Sequence, residues 1–107
     1  MTDACTTRVL GPDDIADMRS MLAVLGEAFG EPDTFSSNPP DDAYLSKLLA
    51  SDTFVAVAAL ADDRVVGGLA GYVLPKFEQA RSEFYIYDLA VDAAYRRRGV
   101  ATALIRT

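Results

Sequence analysis

The segment from Ile86 to Ile105 constrains the fold most, because its pattern changes from that of a strand to that of a helix within a few residues. Phe84–Asp92 holds three aromatic side chains and Ile86, a composition typical of a strand. A short connection and three arginines then lead to Gly99, and a helix is predicted to begin near Arg98. Helix starts bind anions through free N–H groups, and glycine lets a phosphate approach the backbone. The segment predicts either a pyrophosphate site or a basic helix start that faces solvent.

The rest of the chain predicts the element order β-α-α-β-β-β-α. Periodic apolar side chains indicate an amphipathic first helix, and two apolar runs around a short turn indicate an antiparallel hairpin. The glycines of the second run are expected to serve close packing or a bulge. The predicted fold class is therefore α/β, an α+β mixed sheet, with residues 1–107 in a single domain. The predicted elements are Thr6–Leu10, a helix over roughly 13–28, a short helix capped by Asp41 or Asp42, Phe54–Leu60, Val65–Leu74, Phe84–Asp92 and the helix after Arg98.

The chain has no histidine, and Cys5 is its only cysteine. This composition excludes Ser-His-Asp and Cys-His machinery, histidine- or cysteine-based metal sites and an intrachain disulfide. We therefore expect no metal cofactor. The apolar runs are far shorter than the ~20 residues that a membrane span needs, and Met1–Cys5 lacks the basic start of a secretory signal. We expect a cytoplasmic protein with no membrane partner.

The charges are distributed unevenly along the chain. Residues 1–92 carry sixteen acidic and six basic side chains, a net charge of −10, whereas residues 93–107 carry four arginines and no acid. The acidic part repels nucleic acid, so no nucleic-acid partner is expected. It would attract a polycationic small molecule, although acidic side chains also simply maintain solubility. The basic end suits a compact anion such as a phosphate group.

Three stretches resemble a known family. Arg96-Arg97-Arg98-Gly99-Val100-Ala101 matches the Q/R-x-x-G-x-G/A motif of the GNAT acetyltransferases and follows a predicted strand. Leu-Pro-Lys-Phe-Glu-Gln at 74–79 and Tyr-Asp-Leu-Ala-Val at 87–91 are similar to the aminoglycoside 3-N-acetyltransferases of the gentamicin type. The resemblance extends over essentially the whole chain. It implies the GNAT fold, with the C-terminal strands and helix of the family domain missing.

The resemblance implies transfer of an acetyl group from acetyl-CoA to the 3-amino group of an aminoglycoside, which would confer antibiotic resistance. In such enzymes the amine attacks the thioester directly in a ternary complex, so no enzyme nucleophile is needed. Two alternatives remain open: a GNAT enzyme that acetylates a polyamine or a protein amine, and a non-catalytic acetyl-CoA-binding module. A homodimer is expected if a second copy completes the exposed strand edge.

The resemblance also assigns residues to the amine substrate. Asp88 is expected to act as the general base or as the anion that binds the amine. Alternation along the strand predicts that Asp88 lies on the face opposite Leu89 and Val91, away from the core. Glu83 and Tyr85 are weaker substrate-contact predictions, whereas Tyr87 and Tyr95 are predicted to be packing groups.

For the cosubstrate, the resemblance implies that the amides from Arg97 to Thr102 hold the pyrophosphate of acetyl-CoA. The pantetheine arm is expected to pair with the strand backbone like an additional strand. A bulge is expected to splay that strand from its neighbour and to free an N–H that polarises the thioester carbonyl. The predicted acetyl-CoA residues are Leu89, Ala90, Val91, Arg96, Arg97, Arg98, Gly99, Val100, Ala101 and Thr102.

Overall fold

The structure is a computed structural model that describes residues 5–30, 40–96 and 99–107. The predicted element order is confirmed, and so is the predicted α/β fold class, because one four-stranded sheet packs against helices. The predicted loop Gly30–Pro40 lies mostly outside the described residues. The elements are β1 (Thr6–Val9), α1 (Ile15–Ala28), α2 (Asp42–Leu49), β2 (Phe54–Ala61), β3 (Arg64–Pro75), β4 (Ser82–Val91), a 3₁₀ turn (Ala93–Tyr95) and α3 (Val100–Arg106).

The four described strands form one sheet in the order β1-β2-β3-β4, and every neighbouring pair is antiparallel. The β2–β3 turn places Asp62 and Asp63 at φ 53° and 62°. Two left-handed residues match the twist of a tight hairpin, and aspartate tolerates that region better than most side chains. The β3–β4 ladder runs to the pair Pro75–Ser82, so β4 begins two residues before the predicted start at Phe84.

Both faces of the sheet carry a core. On one face, called the α1 face, Met18 and Met21 of α1 and Leu45 of α2 pack over Phe54 and Ala70. On the other, called the α3 face, Val100 and Leu104 of α3 pack over side chains of β2, β3 and β4 such as Val57, Leu69 and Val91. Consecutive side chains of a strand point to opposite faces, so each inner strand supplies both cores.

The start of α2 shows which aspartate caps the helix. The side chain of Asp41 accepts a hydrogen bond from the backbone N–H of Tyr44 at 2.8 Å, so Asp41 is the N-cap. Asp42 lies inside the first turn, and its carboxylate pairs with Arg19 of α1. Because Arg19 also donates to the carbonyl oxygen of Pro40 at 3.0 Å, one guanidinium ties α1 to the start of α2.

The β3–β4 ladder contains a bulge. Ala70 pairs with Asp88, but the next residue, Gly71, pairs with Ile86, which leaves Tyr87 as the extra residue on β4. A bulge is therefore present in β4, as the resemblance implies, and β4 stays paired with β3 on both sides of it. Gly71 is required there because the ring of Phe84 and the backbone of β4 lie directly over it.

We expect Gly71→Ala to lower the free energy of unfolding by about 1–3 kcal/mol, the usual cost of overpacking. A Cβ at this position would lie 2.4 Å from Cζ of Phe84 and 2.6 Å from the carbonyl oxygen of Tyr85. The matched control is Gly11→Ala, where the nearest atom would be Oδ2 of Asp14 at 3.7 Å. Urea unfolding measures both variants, and equal midpoints would contradict the tight approach at Gly71.

Candidate active site

The start of α3 forms an open backbone turn. Gly99, the N-cap of α3, has φ 79° and ψ 10°, in the left-handed region that favours glycine. The helix is fixed to this turn because the N–H of Ala103 donates to the carbonyl oxygen of Gly99 at 3.0 Å. A Cβ on Gly99 would meet no atom within 4 Å. The glycine therefore both permits the turn and leaves the helix start accessible.

A cavity of about 270 Å³ lies at this turn. Because the cavity lies at a helix start, where backbone N–H groups lack intrahelical partners, it is placed to receive an anion. The cavity is lined by residues 99–102 together with Val91, Tyr95 and Arg96. Six of the ten predicted acetyl-CoA residues thus meet at one place. Arg97 and Arg98 lie outside the described residues.

Arg96 fastens the connection between β4 and α3. Its Nε donates to the carbonyl oxygen of Val91 at 3.0 Å. The same side chain lines a second cavity, of about 160 Å³, with Glu27 and Asp92. Arg96 therefore holds the chain in place with one of its five donors while it borders the cavity at Gly99.

The outer edge of β4 is the edge next to this cavity. Leu89, Ala90 and Val91 pair with β3 on one side, and β4 ends the order of the described strands on the other. The side chains of Ala90 and Val91 are buried in the two cores. Only the backbone of these residues is therefore suited to bind an extended ligand, as the resemblance implies.

Asp88 lies at a cavity of about 170 Å³ on the α1 face. As alternation predicts, this face is opposite Leu89 and Val91. The prediction that Asp88 points away from the core is wrong, because α1 and α2 cover this face with apolar side chains. The carboxylate is half-buried at the border of that core, close to Tyr72 and Tyr87.

Burial raises the pKa of the Asp88 carboxyl above its ordinary value. The other residues that line its cavity are apolar or aromatic, so none of them carries a positive charge that would oppose this shift. A carboxylate with a raised pKa holds a proton more firmly than a solvated one. This environment is typical of a general base that takes a proton from an ammonium group.

The bulge brings the predicted substrate residues to one face. Strict alternation would place Glu83 and Tyr85 on the face opposite Asp88. In the structure Tyr85 pairs with Tyr72, which lines the Asp88 cavity, so Tyr85 lies on the α1 face. The extra residue, Tyr87, shifts the alternation by one and so places Asp88 on that face as well.

Glu83 lies apart from Asp88 despite the shared face. Its carboxylate pairs with Arg81 at 2.9 Å and with Lys76 at 3.6 Å, near the β3–β4 turn. Five residues of strand separate it from Asp88, a span of roughly 16 Å. The ion pairs offset the charge of Glu83, which weakens the prediction that it contacts the substrate.

The sequence assigns Tyr87 to packing, and its ring does pack edge to face against Tyr72. Its side chain is nevertheless 66% exposed and lines the Asp88 cavity, a position that the sequence did not predict. Tyr95 does pack: it is half-buried on the α3 face, and the guanidinium of Arg64 lies 5.6 Å from its ring centroid. A local pattern could have identified Tyr87 only if the position of the bulge had been known.

The described part of the chain contains neither a metal-binding cluster nor a membrane-spanning helix. Within residues 5–30, 40–96 and 99–107, no group of three or more acidic or cysteine side chains is placed to hold a metal ion. In the same ranges no helix has both the length and the apolar composition needed to cross a membrane.

Known proteins share the fold and part of the sequence of this chain. A sequence model described as the Acetyltransferase (GNAT) family matches residues 18–107. Comparison with curated proteins gives no match. A solved structure of the aminoglycoside acetyltransferase HMB0005, from an uncultured soil metagenomic sample, is 53% identical with a TM-score of 0.95. The alignment covers 96% of this chain and 68% of that one.

Two further solved structures were bound to ligands. The aminoglycoside acetyltransferase meta-AAC0020, from an uncultured soil metagenomic sample, in complex with sisomicin, is 30% identical with a TM-score of 0.86 over 95% of this chain and 65% of its own. The aminoglycoside N-acetyltransferase AAC(6')-Iy in complex with CoA is 17% identical, with a TM-score of 0.71 over 99% of this chain and 67% of its own; it shares the fold. The chain spans about two thirds of the length of these structures.

Proposed function

Because the chain belongs to the GNAT family of acetyltransferases, we propose that it transfers the acetyl group of acetyl-CoA to an amino group of an aminoglycoside. Within that class we propose the 3-amino group of a gentamicin-like antibiotic, which would confer resistance. Two relatives at 53% and 30% identity are aminoglycoside acetyltransferases, and the second was solved with sisomicin. The acidic body of the chain favours such a polycationic substrate.

One observation carries the proposal: the residue proposed to bind the amine and those proposed to bind acetyl-CoA lie on β4 or directly after it. Asp88, a half-buried carboxylate, comes directly before Leu89–Val91, whose backbone forms the outer edge of β4. The turn at Gly99 begins eight residues after Val91. An amine held at Asp88 and a cosubstrate held along β4 and at Gly99 would therefore lie side by side. This arrangement supplies proximity, which is a large share of catalysis in a direct transfer.

The described residues fit acetyl-CoA. The N–H groups at residues 100–102, in the first turn of α3, would hold its pyrophosphate, and the edge of β4 would pair with its pantetheine arm. When bound, acetyl-CoA supplies the electrophilic thioester carbonyl. A backbone N–H freed by the bulge would donate to that carbonyl oxygen, a contact typically worth about 3–4 kcal/mol.

Asp88 acts as the general base for the substrate amine. It accepts a proton from the substrate ammonium, and the free amine then attacks the thioester carbon. A C–N bond forms, the C–S bond breaks, and the nitrogen loses a second proton, which balances the proton that the leaving thiolate takes up. Because the pKa of Asp88 is raised by burial, the proton transfer from ammonium to carboxylate is less unfavourable than in water.

We expect the acid limb of kcat/KM to lie above the ordinary aspartate pKa of about 3.9. Activity should fall as the pH drops through the raised pKa, because protonated Asp88 cannot act as a base. The same shift makes ionised Asp88 a source of instability, so its protonation at low pH stabilises the fold and this stabilisation is lost as the pH rises. Initial rates from about pH 4 to pH 8 measure the limb. If Asp88→Asn showed the same acid limb of kcat/KM as the wild type, the titrating group would not be Asp88.

The direct test follows thiol release from acetyl-CoA with gentamicin or spermidine as acceptor, and NMR of the product locates the acetylated amine. Release with gentamicin, acetylation at the 3-amino group and no release with spermidine would support the proposal. Release with both acceptors would favour the broader amine acetyltransferase. Binding of acetyl-CoA without release would favour a non-catalytic binding module.

We further propose that the protein acts in the cytoplasm as a homodimer of single N-acetyltransferase domains. Exposed apolar side chains on the α3 face, such as Phe84, Ile86 and Ile105, support self-association. Sedimentation equilibrium should then give twice the chain mass of 11.5 kDa. A mass of 11.5 kDa at all concentrations would contradict the dimer.

A further inference from the structure

The bulge in β4 presents two consecutive side chains, Tyr87 and Asp88, to the same cavity. On a regular strand these neighbours would point to opposite faces. Ile86 before them and Leu89 after them both belong to the α3 face, so the pair is flanked by residues that point away. A large aromatic side chain is thereby placed next to the carboxylate.

The ring of Tyr87 is held by a row of aromatic neighbours. Its centroid lies 5.9 Å from that of Tyr72, edge to face at 86°, and Tyr72 lies 5.3 Å from Phe54 at 61°. Exposure rises along the row from 6% at Phe54 through 39% at Tyr72 to 66% at Tyr87. Edge-to-face contacts of this kind orient rings. The row fixes the outermost ring while leaving most of its surface free.

An oriented, exposed aromatic ring beside a carboxylate suits a ligand that carries both an apolar ring face and an ammonium group. The apolar C–H face of a saturated ring, a cyclitol or a sugar, can stack on Tyr87 while an ammonium on that ring reaches Asp88. A linear polyamine offers the ammonium but no rigid apolar face. The geometry therefore discriminates by the scaffold that carries the amine.

Building on the proposed function, we propose that Tyr87 is a specificity-determining residue that binds the saturated ring whose amine is presented to Asp88. The aromatic side chain selects amines on rigid saturated rings over amines on flexible chains. Tyr72 is a positioning residue, since it acts through Tyr87.

Calorimetry with gentamicin and with spermidine tests this proposal on the full chain. We expect Tyr87→Ala to raise the Kd for gentamicin roughly tenfold, the scale of one lost aromatic contact, and to change the Kd for spermidine less than about twofold. Tyr87→Phe keeps the ring and should retain gentamicin binding. The control Phe77→Ala removes a fully exposed ring from the β3–β4 turn and should leave both Kd values unchanged.

The outcomes separate this proposal from the proposed function. An unchanged Kd for gentamicin in Tyr87→Ala, a parallel loss for spermidine, or a loss in Tyr87→Phe equal to that in Tyr87→Ala would overturn the role of Tyr87. A wild-type chain that does not bind gentamicin would overturn it as well. A chain that binds gentamicin without releasing thiol would refute acetyl transfer, yet the Kd values would still test Tyr87.

Discussion

Replacement of Asp88 by Asn is expected to lower kcat roughly 10²–10⁴-fold, the usual contribution of a well-placed general base. The amide keeps the shape of the carboxyl group but cannot accept the proton of the substrate ammonium. The Kd for acetyl-CoA should stay unchanged, because the predicted cosubstrate contacts are backbone groups of β4 and α3. Single-turnover rates and calorimetry measure the two quantities separately.

The matched control for this substitution is Asp63→Asn in the β2–β3 turn. Asp63 is exposed and has φ 62°, a conformation that asparagine also adopts readily. The substitution Asp63→Asn should leave kcat unchanged. Asp88→Asn should unfold at the same or a higher denaturant midpoint than the wild type, since a desolvated charge is removed. Equal turnover in Asp88→Asn and the wild type would remove Asp88 from the mechanism.

The second large effect is expected at the helix start. Gly99→Ala should weaken acetyl-CoA binding at least about tenfold, because the added Cβ stands at the cavity where a phosphate would meet the backbone. The left-handed conformation also costs an alanine about 1–2 kcal/mol. Calorimetry gives the loss of affinity, and urea unfolding gives the loss of stability.

Gly30→Ala provides a closely matched control. Gly30 has φ 69°, and its added Cβ would also meet no atom within 4 Å, but the residue lies after α1 and away from the Gly99 cavity. The two variants should lose similar stability, and only Gly99→Ala should lose acetyl-CoA affinity. If both bound acetyl-CoA like the wild type, Gly99 would be a turn residue alone.

Much of the site was accessible from the sequence because its signals are local. The three arginines and Gly99 predict a basic helix start, and six of the ten residues that the resemblance assigns to acetyl-CoA line the cavity at Gly99. The apolar runs predict the hairpin, and the Asp41–Asp42 pair predicts the start of α2 to within one residue. Such features depend mainly on backbone and capping preferences within a few residues, which a local sequence pattern reports directly.

The sequence alone determined the element order, the acidic body and the basic helix start, since each follows from side-chain type and spacing. Only the tertiary structure decided which face Tyr85, Tyr87 and Asp88 share, that Glu83 is ion-paired, and that Asp88 borders a core. The reason is that a single extra residue inverts the alternation of a strand. Where that residue is inserted depends on how β4 pairs with Gly71 of β3, which lies more than a dozen residues away along the chain.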